Sequence, residues 1–188
     1  MVEAFLTSTI VVALAEIGDK TQLLSLLLAA RYRKPLPIVA GILVATLANH
    51  FLAAALGAWI RSLASPEIMR WAVGGSLIAI ALWTLKPDKL EGEIRQSTQG
   101  GLFVLTCAVF FLAEMGDKTQ IATIVMAAKY QPLYAVVVGT TLGMMIANVP
   151  VVYMANMAAD RIPFRLVRTL TALLFAGLGA AAIAGAGG

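Results

Sequence analysis

Glu16-Ile17-Gly18-Asp19-Lys20-Thr21 recurs 98 positions later as Glu114-Met115-Gly116-Asp117-Lys118-Thr119. Gln22 and Gln120 extend the match, and Leu14-Ala15 and Leu112-Ala113 precede it. Ala29-Ala30-Arg31-Tyr32 and Ala127-Ala128-Lys129-Tyr130 follow at the same offset. One half of the chain is therefore a diverged copy of the other. Each phrase sits within an apolar stretch of about 28 residues, long enough to cross a bilayer. A carboxylate or ammonium at the centre of such a stretch costs roughly 2.5–3.5 kcal/mol on insertion scales. Three charges in each of two copies carry a penalty on the order of 15–20 kcal/mol before any pairing. Charges kept against that penalty point to function.

The composition excludes an ordinary soluble domain. Of 188 residues, 60% are apolar and 13% charged, with a mean hydropathy of +0.88; soluble domains run nearer about 45–50% and 25%. Residues 1–188 read as a single transmembrane domain. The net charge of +4 would suit a nucleic-acid binder, but the basic residues lie between spans, and no nucleic-acid partner is expected. The one cysteine, Cys107, excludes an intrachain disulfide and a thiolate cluster. Ala13-Leu14-Ala15 looks like a signal-peptide cleavage site, yet Glu3 stands where a basic segment belongs. The expectation is an uncleaved first span.

Six spans are expected, at about Glu3–Ala30, Pro37–Ile60, Glu67–Leu85, Gly101–Lys129, Pro132–Met157 and Pro163–Ala184. Residues 1–85 form the first repeat, 86–100 a cytoplasmic linker, and 101–188 the second repeat. Nine basic residues (Arg31, Arg33, Lys34, Lys86, Lys89, Arg95, Arg161, Arg165 and Arg168) fall on one side, against Arg61, Arg70 and Lys129 on the other. Basic loops stay in the cytoplasm, so both termini are expected in the periplasm. An odd number of spans per repeat turns the second upside down. The predicted fold is an all-α membrane protein of six transmembrane helices in two inverted three-helix repeats, with a site at the midplane. Trp59, Trp71 and Trp83 read as interfacial anchors, and Gly177, Ala181 and Gly185 as a close-packing stripe on the sixth span.

On a regular helix, at 100° per residue, Glu16, Asp19 and Lys20 share one face, as do Glu114, Asp117 and Lys118. Gly18 and Gly116 weaken the helix there and allow close approach. Thr21 and Thr119 point away unless the helix is broken. Four carboxylates and two charge-balancing lysines sum to −2, the charge one divalent cation neutralises. Gln22, Gln120, Asn49 and Asn148 could add oxygen ligands or support the carboxylates. Asn49 and Asn148 are near-equivalents if the alignment shifts by one residue, which leaves His50 without a counterpart. Hard oxygen donors suit Mn²⁺ or Ca²⁺ as the transported ion, while Mg²⁺ sheds its water reluctantly. Midplane carboxylates also take up protons when no metal is bound. No permanently bound cofactor is expected. A plainer alternative makes Glu16–Lys20 and Glu114–Lys118 intrahelical ion pairs, which leaves Asp19 and Asp117 over.

The doubled E-x-G-D-K-T resembles the signature E-x-G-D-[KR]-[TS] of a cation-exchanger family. That family includes the Golgi calcium/manganese transporter, chloroplast manganese transporters and bacterial manganese exporters. Both copies match at every fixed position, and the layout covers nearly the whole chain. The resemblance implies export of Mn²⁺ or Ca²⁺ from the cytoplasm, in exchange for protons. It makes Glu16, Asp19, Glu114 and Asp117 ion-binding residues, with Lys20, Thr21, Lys118 and Thr119 in the motif. Without the long extensions of eukaryotic relatives, the chain is expected in a bacterial inner membrane, surrounded by lipid and with an oligomer open. An exporter of basic amino acids is the alternative within transport. An intramembrane aspartyl protease is a remote one, since Glu16 and Glu114 replace its usual glycine and the adjoining lysines would disturb a shared-proton dyad.

Overall fold

The computed structural model describes residues 1–85, 101–154 and 164–185 (for 164–168, the backbone). Among these described residues, eight helices follow in two runs of four. The first run is α1 (Val2–Glu16), α2 (Lys20–Tyr32), α3 (Pro35–Leu63) and α4 (Pro66–Thr84). The second is α5 (Gly101–Glu114), α6 (Lys118–Lys129), α7 (Leu133–Tyr153) and α8 (Phe164–Ile183). No strand occurs among the described residues.

The second, third, fifth and sixth expected spans are α3, α4, α7 and α8. The first and fourth are not single helices. Each breaks at the repeated phrase, into α1 and α2 and into α5 and α6. The cause lies in the glycines: Gly18 adopts φ 81° and Gly116 φ 73°, a left-handed conformation open to glycine at little cost. The single polar helical face expected for each phrase is therefore replaced by two helix ends meeting at a turn. The expected linker 86–100, the end of the fifth span at Met157 and the start of the sixth at Pro163 lie outside the described residues. So do Lys86, Lys89, Arg95 and Arg161, together with the side chains of Arg165 and Arg168.

The two runs interlock. α1 packs along α7 of the other run, and α5 and α6 pack along α3, while α4 lies against α8. The sequence offset is preserved in space. Gly41 of α3 faces the Phe103 carbonyl and Thr106 of α5, and Gly139 of α7 faces the Phe5 carbonyl and Ser8 of α1. Each member of one contact is 98 positions from its partner in the other. On the α4–α8 seam, Gly74 and Gly179 meet each other's backbone, whereas Gly177 has open space around it. The small residue that α8 packs on is therefore Gly179, two positions past the expected one.

The surface is apolar, and charged and polar groups are buried among an apolar core. Leu43, Leu47, Phe51, Leu52 and Leu56 on α3, and Val138, Leu142 and Ile146 on α7, face outward. Glu16, Asp19, Glu114, Asp117, Lys118, Asn49, His50 and Asn148 are buried. Water-soluble folds keep charge on the outside, whereas an apolar exterior around buried, paired charges suits lipid. Among the described residues, α3 and α7 are each long and apolar enough to cross a membrane alone. Tyr134 Oη reaches Met1 Sδ at 2.9 Å, and Arg61 Nη1 donates to the carbonyls of Ala127 at 2.9 Å and Tyr130 at 3.0 Å. These contacts gather Met1, the α3–α4 turn and the α6–α7 turn at one end of the bundle.

A side chain at Gly143 would meet the Thr9 carbonyl and Ala13 amide of α1, whereas Gly75 has nothing near it. Gly143→Val should thus cost about 1–3 kcal/mol by overpacking. The expected result is a lower thermal unfolding midpoint in detergent, with Gly75→Ala unchanged or slightly raised.

Candidate metal centre

The two helix breaks are built alike. α1 ends at Glu16 and α5 at Glu114, and each chain turns through an i+3 hydrogen bond. Asp19 N–H donates to the Glu16 carbonyl at 3.0 Å, and Asp117 N–H to the Glu114 carbonyl at 3.1 Å. Asp19 then caps α2, its Oδ1 accepting from the Lys20 amide at 2.6 Å. Asp117 is the N-cap residue of α6. The helix ends complement the charges sought: carbonyl ends of α1 and α5 carry partial negative charge, and the amide ends of α2 and α6 favour the aspartates.

The breaks bring the threonines in. Thr21 Oγ1 donates to Glu16 Oε2 at 2.5 Å, and Thr119 Oγ1 to Glu114 Oε2 at 3.0 Å, with Asp117 Oδ2 at 3.3 Å. On an unbroken helix these hydroxyls point away, so the contacts exist because the helix is interrupted. Gln22 and Gln120 hold the turns: Gly18 N–H donates to Gln22 Oε1 and Gly116 N–H to Gln120 Oε1, both at 2.8 Å.

The lysines do not pair within their own helix. Lys20 Nζ lies 3.0 Å from Asp117 Oδ1, and Lys118 Nζ lies 3.0 Å from Asp19 Oδ2. The expected alternative of Glu16–Lys20 and Glu114–Lys118 pairs is replaced by two diagonal pairs between the runs. The positions are equivalent but their access differs, since the Lys20 side chain is 25% exposed and that of Lys118 3%.

One oxygen each of Glu16, Asp19 and Asp117 lies within 4.8 Å of the others. Oxygens bound to one Ca²⁺-sized ion at 2.3–2.6 Å are separated by at most about 5 Å, so these three can share an ion. Glu114 is not in that group. It is fully buried and held at one oxygen by Thr119, while among the described residues its Oε1 accepts no hydrogen bond, and Glu16 Oε1 accepts none either.

The amide side chains are engaged elsewhere. Asn49 Nδ2 donates to the Phe111 carbonyl at 2.9 Å, and its Oδ1 accepts from Gln120 Nε2 at 3.2 Å. Gln22 Nε2 donates to the Ala147 carbonyl at 3.0 Å. Ala147 stands 98 positions after Asn49, so a main-chain oxygen replaces the Asn49 side-chain oxygen in the second run. The counterpart of Asn148 is accordingly His50, which corrects the one-residue shift. Asn148 Oδ1 accepts from Ser25 Oγ at 2.7 Å. At the equivalent place Thr123 bonds its own helix, and both nitrogens of buried His50 lack a hydrogen-bond partner among the described residues. Ser25 was missed in the sequence, although it stands four after Thr21, as Thr123 does after Thr119. Cys107 packs with Sγ 3.5 Å from the Gly41 carbonyl.

Buried carboxylates paired with one buried and one partly exposed lysine at two helix breaks, inside a bundle with an apolar exterior, fit an ion-translocating membrane protein. The chain belongs to the GDT1 family, described as divalent cation/proton antiporters, whose profile matches residues 4–92 and 102–187. It is 58% identical over 165 residues to a Vibrio cholerae protein provisionally named a manganese exporter, covering 87% of this chain and 82% of that one. A GDT1-like protein of Synechocystis is 28% identical, with 93% and 94% covered. GDT1-like protein 4 of rice is 29% identical, with 93% and 71% covered. No solved structure matches the chain significantly. The chain is thus a transporter and not an enzyme. An aspartyl protease is further opposed by the lysine held on each aspartate, which a dyad sharing a proton does not tolerate.

Gly116 has open space where a methyl group would sit, so Gly116→Ala isolates the conformational penalty of its positive φ. A loss of about 1–2 kcal/mol is expected, read as a lower unfolding midpoint of the intact protein in detergent.

Proposed function

We propose that this protein exports a divalent cation, Mn²⁺ before Ca²⁺, from the cytoplasm in exchange for protons, through a site made by Glu16, Asp19, Glu114 and Asp117. The observation that carries the proposal is the approach of Glu16, Asp19 and Asp117 oxygens to within 4.8 Å inside an apolar bundle. The family description and the name of the Vibrio relative support a divalent metal, manganese in particular. Oxygen donors without a thiolate fit Mn²⁺ and Ca²⁺.

The charge count gives the mechanism. Four carboxylates and two lysines sum to −2, which a bound divalent ion cancels. Lys20 and Lys118 act as tethered cations, resting on Asp117 and Asp19 and giving way when the metal arrives. When the metal leaves, the lysines return to the aspartates and two protons taken up by the carboxylates replace its charge. Gln22 and Gln120 hold the turns, Thr21 and Thr119 orient Glu16 and Glu114, and Asn49 and Asn148 support the surroundings through Gln120 and Ser25.

α1 with α2, α3, α4, α5 with α6, α7 and α8 make six crossings, as two inverted three-span repeats over 1–85 and 101–188 with a cytoplasmic linker at 86–100. The basic-residue asymmetry puts both termini on the periplasmic face of a bacterial inner membrane. The unequal exposure of Lys20 and Lys118 supports alternating access, in which the two diagonal pairs exchange open and closed positions.

In proteoliposomes with an internal pH dye and Mn²⁺ or Ca²⁺ offered separately, wild type should show metal-dependent proton movement. Asp19→Asn and Asp117→Asn should each reduce it at least tenfold. Flux of neither metal under a pH gradient, with arginine or lysine transported instead, would move the protein to the organic-cation alternative. Lys118→Met removes one partner of a buried pair, which costs about 3–5 kcal/mol. Its unfolding midpoint should fall without metal and recover on adding Mn²⁺; a fall that Mn²⁺ leaves unchanged would separate Lys118 from the ion site.

A further inference from the structure

Where the α3–α4 and α6–α7 turns meet, the bundle holds a cavity of about 690 Å³. Arg61, Arg70 and Lys129 line it together with one carboxylate among the described residues, Glu67, and Val73 and Ala182 contribute apolar wall. None of the three basic residues is ion-paired among the described residues. Each is held by something that leaves its charge uncancelled. Arg61 caps the carbonyl end of α6. The Arg70 guanidinium lies 5.9 Å from the centre of the Trp71 ring, and Lys129 Nζ 5.1 Å from that of Tyr130.

Three cations against one carboxylate leave two positive charges, so this cavity repels a divalent cation and makes a poor conduit for one. It is also remote from the carboxylates. Lys118 and Lys129 bound α6, and eleven residues at 1.5 Å each separate them by about 16 Å. The surroundings point to the ligand. Beside the basic groups, Ile68 and Trp71 are exposed, on the same turns of α4. A free anion has no use for an apolar wall and rim, whereas a phospholipid has a phosphate for the cations and acyl chains for the rest.

We propose that this cavity is a headgroup site for an anionic phospholipid, its phosphate held by Arg70 and Lys129 near Arg61. The site is independent of which ion the carboxylates carry. It is tested on the intact chain in neutral detergent by thermal unfolding with phosphatidylglycerol, with phosphatidylcholine, and with inorganic phosphate. Phosphatidylglycerol should raise the wild-type midpoint by several degrees more than phosphatidylcholine does, and phosphate should leave it unmoved. The double variant Arg70→Gln/Lys129→Gln should lose that difference while keeping the response to phosphatidylcholine. Equal responses to both lipids in wild type, or a difference that survives in the variant, would overturn the site. A rise with phosphate as large as with phosphatidylglycerol would overturn the lipid assignment in favour of a free anion. Should the variant fail to fold, mass spectrometry of lipids retained by the wild type decides: enrichment of phosphatidylglycerol over its share of the source membrane supports the site, and no enrichment defeats it.

Discussion

Everything in this molecule answers to the difficulty of keeping charge away from water. Removing one partner of a buried ion pair leaves the other uncompensated and costs several kcal/mol. Here Asp19, Asp117 and Lys118 are buried, Lys20 is partly exposed, and each ammonium rests on the aspartate of the opposite run. The pairing therefore welds the halves together at their most polar point. It also explains the interlocked packing, because α1 and α5 must each lie beside the long helix of the other run to bring the breaks face to face.

The breaks rearrange the hydrogen bonds around the carboxylates. An unbroken helix would have spent its carbonyls and amides on itself and turned the threonines away. Gly18 and Gly116 end that arrangement. The Glu16 and Glu114 carbonyls then accept from the Asp19 and Asp117 amides, and Thr21 and Thr119 bond Glu16 and Glu114. The glutamines occupy the freed glycine amides, so the turns cost few unsatisfied groups.

Much of this was legible in the residues. The doubled phrase, the apolar composition and the proline-punctuated loops lead to a helical membrane unit, and four of the six expected spans correspond to single helices, the fifth and sixth as far as the described residues run. What hydrophobic period could not show was the interruption of the other two. An apolar stretch reads the same whether glycine bends its helix or ends it, and the difference lies in a φ angle. The diagonal pairing was equally hidden, because lysine four residues after glutamate is the ordinary pattern of an intrahelical pair. The match of Asn49 to Asn148 followed residue type, where the constant offset would have led to Ala147 and His50. A carbonyl standing in for an amide side chain leaves no mark in a sequence.

The diagonal contacts also change what counts as a unit of this protein. Each phrase looks self-contained, with its own acid and its own base side by side. Yet the lysine of one is the counter-ion of the other, so neither phrase is electrically complete alone. An altered Asp19 must be answered at position 118, 99 places away in the chain, and not at its neighbour Lys20. After the duplication, the two copies were no longer free to drift as separate modules; each holds the other's missing charge.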